Sequence, residues 1–359
     1  MTSPLAQGST IGILGGGQLG RMLSVAAARL GLKTHIYEQS AQCPAADVAH
    51  RVTSAAYDDE AALRAFGRDV DVITYEFENI PTYALDILQD LAPIRPARNA
   101  LAVSQDRLTE KQFLTDLGLR CAPYHAVGTF DDLLQAIDKV GLPAILKTTR
   151  MGYDGKGQMR IANIQDAQEA YDAMQGSMAV LEGFIDFSHE VSVIAARGAD
   201  GAISAYDPGE NLHKNGILHQ TTVPARLSAN QRTDAVLLAA KILNALEYVG
   251  VMGVELFVTP AGFIVNEIAP RVHNSGHWTQ NGCATDQFEQ HIRAVAGWPL
   301  GDGQRYADVV MENLIGNDMD KVPQLTSQPN TALHLYGKPE ARAGRKMGHV
   351  NVMTTPRPN

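Results

Sequence analysis

Cysteines, basic runs and long apolar runs are all scarce in this chain of 359 residues. Its three cysteines, Cys43, Cys121 and Cys283, lie far apart and are odd in number, which indicates a reducing compartment without a disulfide framework. No run rich in Lys or Arg accompanies the net charge of −9, so general binding to nucleic acid or to a membrane is not expected. No apolar run approaches the roughly 20 residues of a membrane span, and the N-terminus lacks the features of a signal peptide. These absences predict a cytoplasmic protein.

The remaining composition, 45% hydrophobic and 19% charged, is typical of a globular protein with two or three domains. The first segment predicts a strand at Thr10–Leu14, a glycine turn at Gly15–Gly20 that opens a helix to about Leu30, and a strand at Thr34–Tyr37. With Glu38 at the end of the second strand, the spacing is typical of a dinucleotide-binding fold, so a nicotinamide or flavin enzyme stays an alternative. Such turns also bind other phosphates, and some bind no ligand.

A second glycine-rich segment lies between two predicted strands, Ala144–Lys147 and one that starts at Met159. No G-K-[ST] precedes a helix here, so the segment predicts a flap and not a Walker A loop. Lys147 closes the first strand and Lys156 lies in the flap, where both ammonium groups can face a polyphosphate. A flexible surface hairpin is the alternative.

The region after the flap suits a nucleoside. A strand, the linker Gly183–Phe187 and a second strand, Glu190–Ala195, offer backbone groups for an adenine and the Glu190 carboxylate for ribose hydroxyls. We expect the polar residues Asn211–Asn215 to form a loop. From that loop His213 would contact the nucleotide, unless it is only a surface histidine.

Two apolar runs around Pro260–Gly262 predict a β-hairpin. If its three-residue loop sets the register, Thr259 faces Phe263 and Glu255 falls opposite Glu267, with Cβ atoms roughly 4.5–5.5 Å apart. Two carboxylates so placed repel each other unless a cation lies between them. Oxygen ligands beside a phosphate-bearing substrate suit Mg²⁺. The alternative is a pair of glutamates on a solvated face.

The segment directly after this hairpin is too polar for a protein core. It contains a guanidinium, two imidazoles and two amides, on Arg271, His273, Asn274, His277 and Gln280. Each group would need a buried partner in a core, so the segment predicts a site for metal, phosphate and a small anion. The basic tail at 333–349 is either a further anion site or a solvated loop.

Four of these features occur together in the ATP-grasp superfamily: the strand-closing Lys147, the flap, the linker Glu182–Ile185 and the Glu255/Glu267 hairpin. More closely, the chain resembles the N5-carboxyaminoimidazole ribonucleotide synthetase family of purine biosynthesis. The motifs that carry this resemblance lie at Gly15–Met22, Gly152–Gln158, Ala269–Thr279 and Gly344–His349. The third, A-P-R-V-H-N-S-G-H-W-T, is the most specific, and the resemblance covers nearly the whole chain.

The resemblance implies an α/β fold, in part α+β, with three domains. Residues 1–106 would form an N-terminal Rossmann-like domain, and residues 107–296 an ATP-grasp domain with a flap or lid subdomain at about 122–181. Residues 297–359 would form a C-terminal β-rich cap. A homodimer is also implied.

The implied activity is that of a ligase. It would carboxylate the exocyclic amine of 5-aminoimidazole ribonucleotide with ATP and bicarbonate, giving N5-carboxyaminoimidazole ribonucleotide, ADP and phosphate through carboxyphosphate. The cofactor would be Mg²⁺, with Glu255 and Glu267 as its ligands. Many ATP-grasp relatives place an asparagine ligand two residues after the second glutamate, where this chain has Ala269, so the metal would depend more on phosphate and water.

The resemblance also assigns contacts residue by residue. Arg271 would pair bidentately with bicarbonate, with His273 and Asn274 as further donors. The implied catalytic residues are Arg271, His273, Asn274, Asp154 and Lys147. The implied ATP contacts are Arg107, Lys147, Gly152, Tyr153, Asp154, Gly155, Lys156, Gly157, Gln158, Glu182, Gly183, Phe184, Ile185, Glu190, His213, Asn266 and Glu267. The implied contacts of 5-aminoimidazole ribonucleotide are Gln18, Leu19, Glu76, Tyr153, Asp154, Lys338 and Arg345.

Three other functions stay open. A formate-dependent glycinamide ribonucleotide transformylase shares the ATP-grasp framework, but the motif R-V-H-N-S-G-H-W is not expected in it. An NAD-dependent dehydrogenase explains only Gly15–Glu38. A non-catalytic nucleotide-binding regulator is disfavoured by the charged residues Lys147, Glu255, Glu267 and Arg271.

Overall fold

The computed structural model describes residues 3–152 and 155–354. Its N-terminal strands are β1 (Thr10–Leu14), β2 (Lys33–Glu38), β3 (Arg51–Ser54) and β4 (Val72–Tyr75). The helices around them are α1 (Gln18–Arg29), α2 (Glu60–Arg68), α3 (Thr82–Leu88) and α4 (Arg98–Ser104). The strands form a parallel sheet in the order β3-β2-β1-β4, which confirms the predicted Rossmann-like start of the chain. The glycine turn between β1 and α1 therefore lies at the carboxyl edge of this sheet, where ligands gather.

The flap subdomain follows the helix α5 (Arg107–Asp116). Its strands are β5 (Tyr124–Val127), β6 (Ala144–Thr148), β7 (Gln158–Ile161) and β8 (Ala179–Gly183), and its helices are α6 (Phe130–Val140) and α7 (Ala167–Ala173). The strands form an antiparallel sheet in the order β5-β8-β6-β7. The flap itself joins β6 to β7, with Lys147 paired to Gln158 at its base.

A large antiparallel sheet forms the rest of the protein. Its strands are β9 (His189–Arg197), β10 (Ile203–Ala205), β11 (Gly209–Lys214), β12 (Ile217–Val223), β13 (Gly250–Thr259), β14 (Gly262–Ala269), β15 (Asp308–Ile315), β16 (Thr331–Leu335) and β17 (Lys346–Thr354). Its helices are α8 (Ala229–Ala245), α9 (Thr279–Gly282), α10 (Gln287–Ala296) and α11 (Val322–Thr326). The strand order is β14-β13-β9-β11-β12-β15-β17-β16, with β10 beside β9. The C-terminal strands thus extend the ATP-grasp sheet.

The hairpin of β13 and β14 confirms the predicted pairing of Glu255 with Glu267 but corrects its cause. The turn is tighter than predicted, because Phe263 pairs with Val258 and not with Thr259. A β-bulge then adds one residue to β14 next to Glu255, which shifts the register and brings Glu267 opposite. Without the bulge, the one-residue difference would place Glu267 on the other face of the sheet.

The prediction of a loop at Asn211–Asn215 is wrong for most of its length. These residues belong to β11, which pairs with β9 on one side and β12 on the other. Asn211 is buried, and its side-chain oxygen accepts a hydrogen bond of 2.9 Å from the Thr221 hydroxyl. The two neighbouring strands satisfy the backbone of this polar segment, which overrides its weak strand propensity. His213 is therefore fixed on a sheet.

One buried apolar cluster joins the N-terminal unit to the large sheet. It includes Leu23 of α1, Trp278, and Phe288 and Ile292 of α10. This shared core fixes the carboxyl edge of the parallel sheet against the ends of β13 and β14. Across the described ranges, no helix combines the length and the apolar character needed to cross a membrane.

Candidate active site

Lys147 of β6 lies in a buried cluster of charges. Its Nζ is 3.0 Å from Glu182 Oε2, and the Nζ of Lys111 on α5 is 3.2 Å from the same oxygen. Burial acts to raise the pKa of Glu182, but Lys147 and Lys111 outweigh it and hold that pKa below its usual range. Two ammonium groups share one carboxylate, so the cluster keeps positive charge for an anionic ligand.

Arg107 at the start of α5 connects this cluster to the carboxylate pair. One terminal nitrogen of its guanidinium is 3.1 Å from Glu267 Oε2. The flap begins beside it, since a Cβ added to Gly152 would lie 3.5 Å from Arg107 Nη2. At the other end of the flap, a Cβ on Gly155 would lie 3.2 Å from the Cα of Gly216 in the β11–β12 turn. The flap therefore crosses from α5 to the large sheet. The predicted contacts of Tyr153 and Asp154 lie outside the described residues.

The linker after β8 offers few free donors. The N–H of Gly183 donates to the carbonyl of Pro123 at 2.8 Å, and the N–H of Phe184 to that of Pro143 at 3.1 Å. Glu182 turns into the lysine cluster, and the Phe184 ring is partly exposed under the Arg160 guanidinium. Neither of these two N–H groups is therefore available to an adenine.

The carboxylate pair lies at the bulge of the hairpin. Burial raises the pKa of Glu255 to about 7, and the charge of Glu267 adds to this effect. For Glu267, burial acts in the same direction, but Arg107 and Lys147 outweigh it and lower the pKa. Asn266 is the extra residue of β14 at this point. Two facing carboxylates of which one resists ionisation are the donor set that a bound divalent cation would stabilise.

Glu190 and His213 form a second pair beside Glu255. His213 Nδ1 is 3.0 Å from Glu190 Oε2. Although burial acts to lower it, this hydrogen bond raises the pKa of His213. The structure therefore brings together both residues that the sequence assigns to the nucleoside.

Arg271 lies in the turn after β14 and is largely buried. Its Nη2 is 2.6 Å from Glu78 Oε1, and its Nη1 donates to the carbonyl of Val272 at 3.0 Å. Its Nε is buried and has no hydrogen-bond partner among the described residues. An unsatisfied buried guanidinium N–H is costly, so this N–H calls for an acceptor that the described residues do not supply.

His273 is held as one tautomer by two serines. Its Nδ1 accepts the backbone N–H of Ser275 at 3.4 Å and contacts the Ser275 hydroxyl at 2.8 Å, which in turn receives the Ser192 hydroxyl at 2.6 Å. Burial, followed by the charge of Arg271, lowers the pKa of His273 well below its usual range. The neutral ring then carries its proton on Nε2, 3.4 Å from Glu255 Oε1. His273 is thus arranged as a hydrogen-bond donor.

Asn274 is engaged more fully than the sequence suggests. Its side-chain nitrogen donates to Asn313 Oδ1 at 2.9 Å, and the Asn313 nitrogen donates back at 2.7 Å. This amide pair ties the turn after β14 to the C-terminal strand β15. Asn274 therefore orients the turn as well as lying beside the site.

The glycine turn of the N-terminal unit is partly filled by Glu76. This carboxylate is buried and accepts the N–H groups of Gly17 and Gly20, the second at 2.5 Å. Gln18 and Leu19 make up the rest of the first turn of α1, where backbone N–H groups have no partner within the helix. Glu76 thus takes the N–H groups of Gly17 and Gly20, on either side of Gln18 and Leu19.

The basic tail contributes one further cation that sequence reasoning did not assign. Lys338 Nζ donates to the carbonyl of Lys346 at 2.7 Å, and Arg345 donates to the carbonyl of Glu340 at 3.0 Å. Lys346 at the start of β17 lies close enough to act, after burial, on the pKa values of Glu255 and His273. Lys346 therefore belongs to the electrostatics of the site.

The site also contains Glu110 and Lys111 of α5, which were not predicted from the sequence. Glu110 is buried and accepts the N–H of Ile268 in β14 at 3.0 Å. Burial raises its pKa to about 8, with the Glu267 charge as the second cause. With Arg107 they occupy positions i, i+3 and i+4, which share one helix face. That spacing is the sequence signal from which a charged face of α5, buried against the site, could have been predicted.

Three family models cover most of the chain. The ribonucleotide synthetase preATP-grasp domain matches residues 8–105 and the ATP-grasp domain matches residues 112–288. The phosphoribosylaminoimidazole carboxylase C-terminal domain matches residues 309–358. Together they confirm the predicted ATP-grasp fold and its N-terminal domain. The predicted domain boundaries stay predictions.

Curated relatives agree with these models. The sequence is 55% identical to the N5-carboxyaminoimidazole ribonucleotide synthase of Brucella melitensis over 349 residues, 96% of each chain. It is 42% identical to the synthase of that name from Bacillus subtilis over 353 residues, 97% of this chain and 92% of the relative.

Solved structures show the same likeness in three dimensions. The ADP complex of an N5-carboxyaminoimidazole ribonucleotide synthetase superposes with a TM-score of 0.96 at 41% identity, covering 99% of this chain and 94% of that one. The synthase of Aspergillus clavatus in complex with ADP and 5-aminoimidazole ribonucleotide gives a TM-score of 0.92 at 30% identity, covering 97% and 94%. These comparisons match the protein over almost its whole length.

Proposed function

Because this chain belongs to the N5-carboxyaminoimidazole ribonucleotide synthase family, we propose that its site activates bicarbonate with Mg²⁺-bound ATP and transfers the carboxyl group to 5-aminoimidazole ribonucleotide. The chain is an ATP-grasp ligase of purine biosynthesis. We propose bicarbonate as the carboxyl donor, Mg²⁺ as the metal, and the following residues as contacts of each substrate.

The buried Nε of Arg271 carries the bicarbonate assignment, because it has no partner in the described residues. Bicarbonate is a poor electrophile until its hydroxyl becomes a good leaving group. Attack of a bicarbonate oxygen on the γ-phosphorus of ATP forms carboxyphosphate and releases ADP, and loss of phosphate then frees CO₂ beside the amine. Arg271 would hold the anion through Nε, and the Nε2–H of His273 would donate to the developing charge.

Glu255 and Glu267 fit a divalent cation, because their negative charges repel each other when no cation lies between them. They would hold Mg²⁺, which supplies charge neutralisation on the phosphate oxygens. Lys147 and Arg107 would contact the same phosphates from the opposite side. Asn266 and the Ile185 backbone complete the nucleotide contacts that we propose.

The ribonucleotide substrate would lie between the N-terminal unit and the tail. The first turn of α1, at Gln18 and Leu19, offers N–H groups to its phosphate. Lys338 and Arg345 would supply countercharge. Glu76 closes this pocket toward the sheet, and Asp154 on the flap would act on the amine.

We also propose a homodimer in the cytoplasm. The three cysteines are free thiols, Cys43 and Cys121 partly buried and Cys283 buried, which suits a reducing compartment. Light scattering of the purified protein would show a mass of twice the 38.7 kDa chain. A monomer at micromolar concentration would contradict the dimer without affecting the proposed chemistry.

The test of this function is a phosphate-release assay in which each substrate is omitted in turn. We expect full release only with ATP, bicarbonate, Mg²⁺ and 5-aminoimidazole ribonucleotide together. A parallel reaction with formate and glycinamide ribonucleotide tests the related transformylase. Turnover with the formate pair, or turnover independent of bicarbonate, would contradict the proposal.

A further inference from the structure

Three side chains on neighbouring strands converge beside the carboxylate pair. Glu190 of β9, His213 of β11 and Glu255 of β13 each offer one ligand atom, and these atoms all lie within 4.8 Å of one another. The three strands are adjacent in the sheet. His213 Nδ1 is already 3.0 Å from Glu190 Oε2, and all three residues are only partly buried, so an ion can reach them.

The donor set differs in chemistry from that of a magnesium site. Mg²⁺ prefers oxygen ligands and rarely takes an imidazole, whereas one imidazole with two carboxylates suits Zn²⁺ and similar transition-metal ions. Bonds of about 2.0–2.2 Å to such an ion place tetrahedral ligand atoms roughly 3.4 Å apart. The His213–Glu190 contact of 3.0 Å would therefore open slightly, and the Glu255 oxygen would adjust to about that distance from both. Rotation of two partly exposed carboxylates supplies that movement.

His273 also lies at this place, but it supports the Glu255 carboxylate and does not compete for the ion. His273 Nε2 is 3.4 Å from Glu255 Oε1, and the Ser275 N–H on Nδ1 leaves the ring proton on Nε2. The Nε2 proton of His273 is directed at Glu255 and orients that carboxylate. Such outer hydrogen bonds typically strengthen metal sites. An ion bound to the triad would instead displace the proton that lies between His213 Nδ1 and Glu190 Oε2.

We propose that Glu190, His213 and Glu255 bind a divalent transition-metal ion such as Zn²⁺ when the nucleotide is absent, and that this ion competes with ATP. The competition rests on the proposed function, which gives Glu190 and His213 to the nucleoside. This ion would differ from Mg²⁺ in its ligands, since Glu255 is the one residue that the two sites have in common. It would also differ in its effect, since Mg²⁺ assists nucleotide binding. The chain would thus sense excess transition metal at its nucleotide site.

The test is a Zn²⁺ titration of metal-stripped, nucleotide-free protein against a chromogenic chelator. We expect one Zn²⁺ per chain that ADP displaces. His213→Asn and Glu190→Gln should each weaken Zn²⁺ binding at least about 10-fold.

The matched control is His219→Asn. His219 lies on the neighbouring strand β12, 3.8 Å from the single carboxylate Glu312, so it has a similar setting without a second acidic ligand. This variant should bind Zn²⁺ like the wild type. Melting temperatures of all variants identify any loss that comes from misfolding.

Unchanged Zn²⁺ affinity in both His213→Asn and Glu190→Gln would overturn the site, as would simultaneous binding of Zn²⁺ and ADP without mutual weakening. Failure of the proposed function looks different. A protein that binds Zn²⁺ at the triad but never binds ADP would contradict the nucleotide assignment alone, and a protein that turns over ATP without binding Zn²⁺ would contradict only the triad.

Discussion

In the proposed function, Arg271 is the residue on which bicarbonate activation depends most directly. Glu78 and the Val272 carbonyl fix two of its nitrogens, and Nε is the nitrogen that has no partner among the described residues. The two fixed contacts hold the plane of the guanidinium, so the remaining N–H has a defined direction. A flexible lysine ammonium cannot satisfy the fixed contacts and an anion together.

Arg271→Lys should therefore raise the KM for bicarbonate at least about 10-fold, in line with the loss of one charge-assisted hydrogen bond. ATP affinity should change by much less, because the proposed phosphate contacts are Lys147 and Arg107. The measurements are bicarbonate KM, ATP affinity and melting temperature on the same protein. Arg305→Lys is the control, since Arg305 also has two of its nitrogens held, in its case by the carboxylates of Asp207 and Asp308, but has no assigned substrate. Equal losses for ATP and bicarbonate would show that Arg271 is structural.

Glu110 makes the stability of the substrate-free protein depend on pH. Its folded pKa, about 8, lies above the ordinary value of 4.5, so the folded state holds a proton that the unfolded state has lost. Stability therefore falls as pH rises between these values, by at most about 5 kcal/mol. Glu110→Gln should remove this loss and raise the melting temperature more at pH 9 than at pH 5.

Glu210→Gln is the control of opposite sign. Burial acts to raise the pKa of Glu210, but Arg226 outweighs it and lowers the pKa, so its ionised form stabilises the folded protein above the unfolded pKa. This variant should lose stability at neutral pH. A Glu110→Gln variant that loses stability equally at pH 5 and pH 9 would contradict a protonated Glu110.

At the scale of single elements, the hairpin of β13 and β14 shows what a sequence pattern can and cannot determine. The two apolar runs and the turn residues between them predicted the strands and the pairing of Glu255 with Glu267 correctly. The bulge at Asn266 was not predictable, because it arises where the edge strand β14 meets α5 and the Glu110 carboxylate. A tighter turn and an extra residue offset each other, so the predicted pair is right although Thr259 and Phe263 are not paired.

The flap should close over nucleotide. Gly155 and Gly157 adopt positive φ values of 77° and 69°, which other residues rarely do, and the segment leaves its sheet after the Lys147–Gln158 pair. Trypsin cleavage within Arg150–Lys156 should slow at least about 10-fold with saturating ADP, as for other active-site lids.

Cleavage at Arg226 serves as the internal control for the flap. Its side chain is 76% exposed in the loop before α8 and has no assigned nucleotide contact, so ADP should not protect it. Equal protection at both places would indicate general stabilisation. An unprotected flap would contradict its role as a lid.

Over the whole molecule, the site depends on contacts between distant parts of the chain. Motifs whose residues are close in sequence, such as Arg271 to Asn274, were predictable because their polarity has no place in a core. The buried Lys111–Glu182 and Arg271–Glu78 pairs join different units, and one sequence contains no signal for such pairings. The continuous sheet from β14 to β16 was hidden for the same reason, since the C-terminal strands follow a change in composition and pair with β12 only in the fold.

The central claim is that bicarbonate oxygen becomes phosphate oxygen during turnover. Bicarbonate labelled with ¹⁸O, supplied with ATP and 5-aminoimidazole ribonucleotide, should yield inorganic phosphate that carries one ¹⁸O atom, visible as an isotope shift in the ³¹P spectrum. Carboxyphosphate requires this transfer, because the attacking oxygen leaves with the phosphate. Product formation with unlabelled phosphate would show that CO₂ or water reacts instead, and the role given to Arg271 and its neighbours would be wrong.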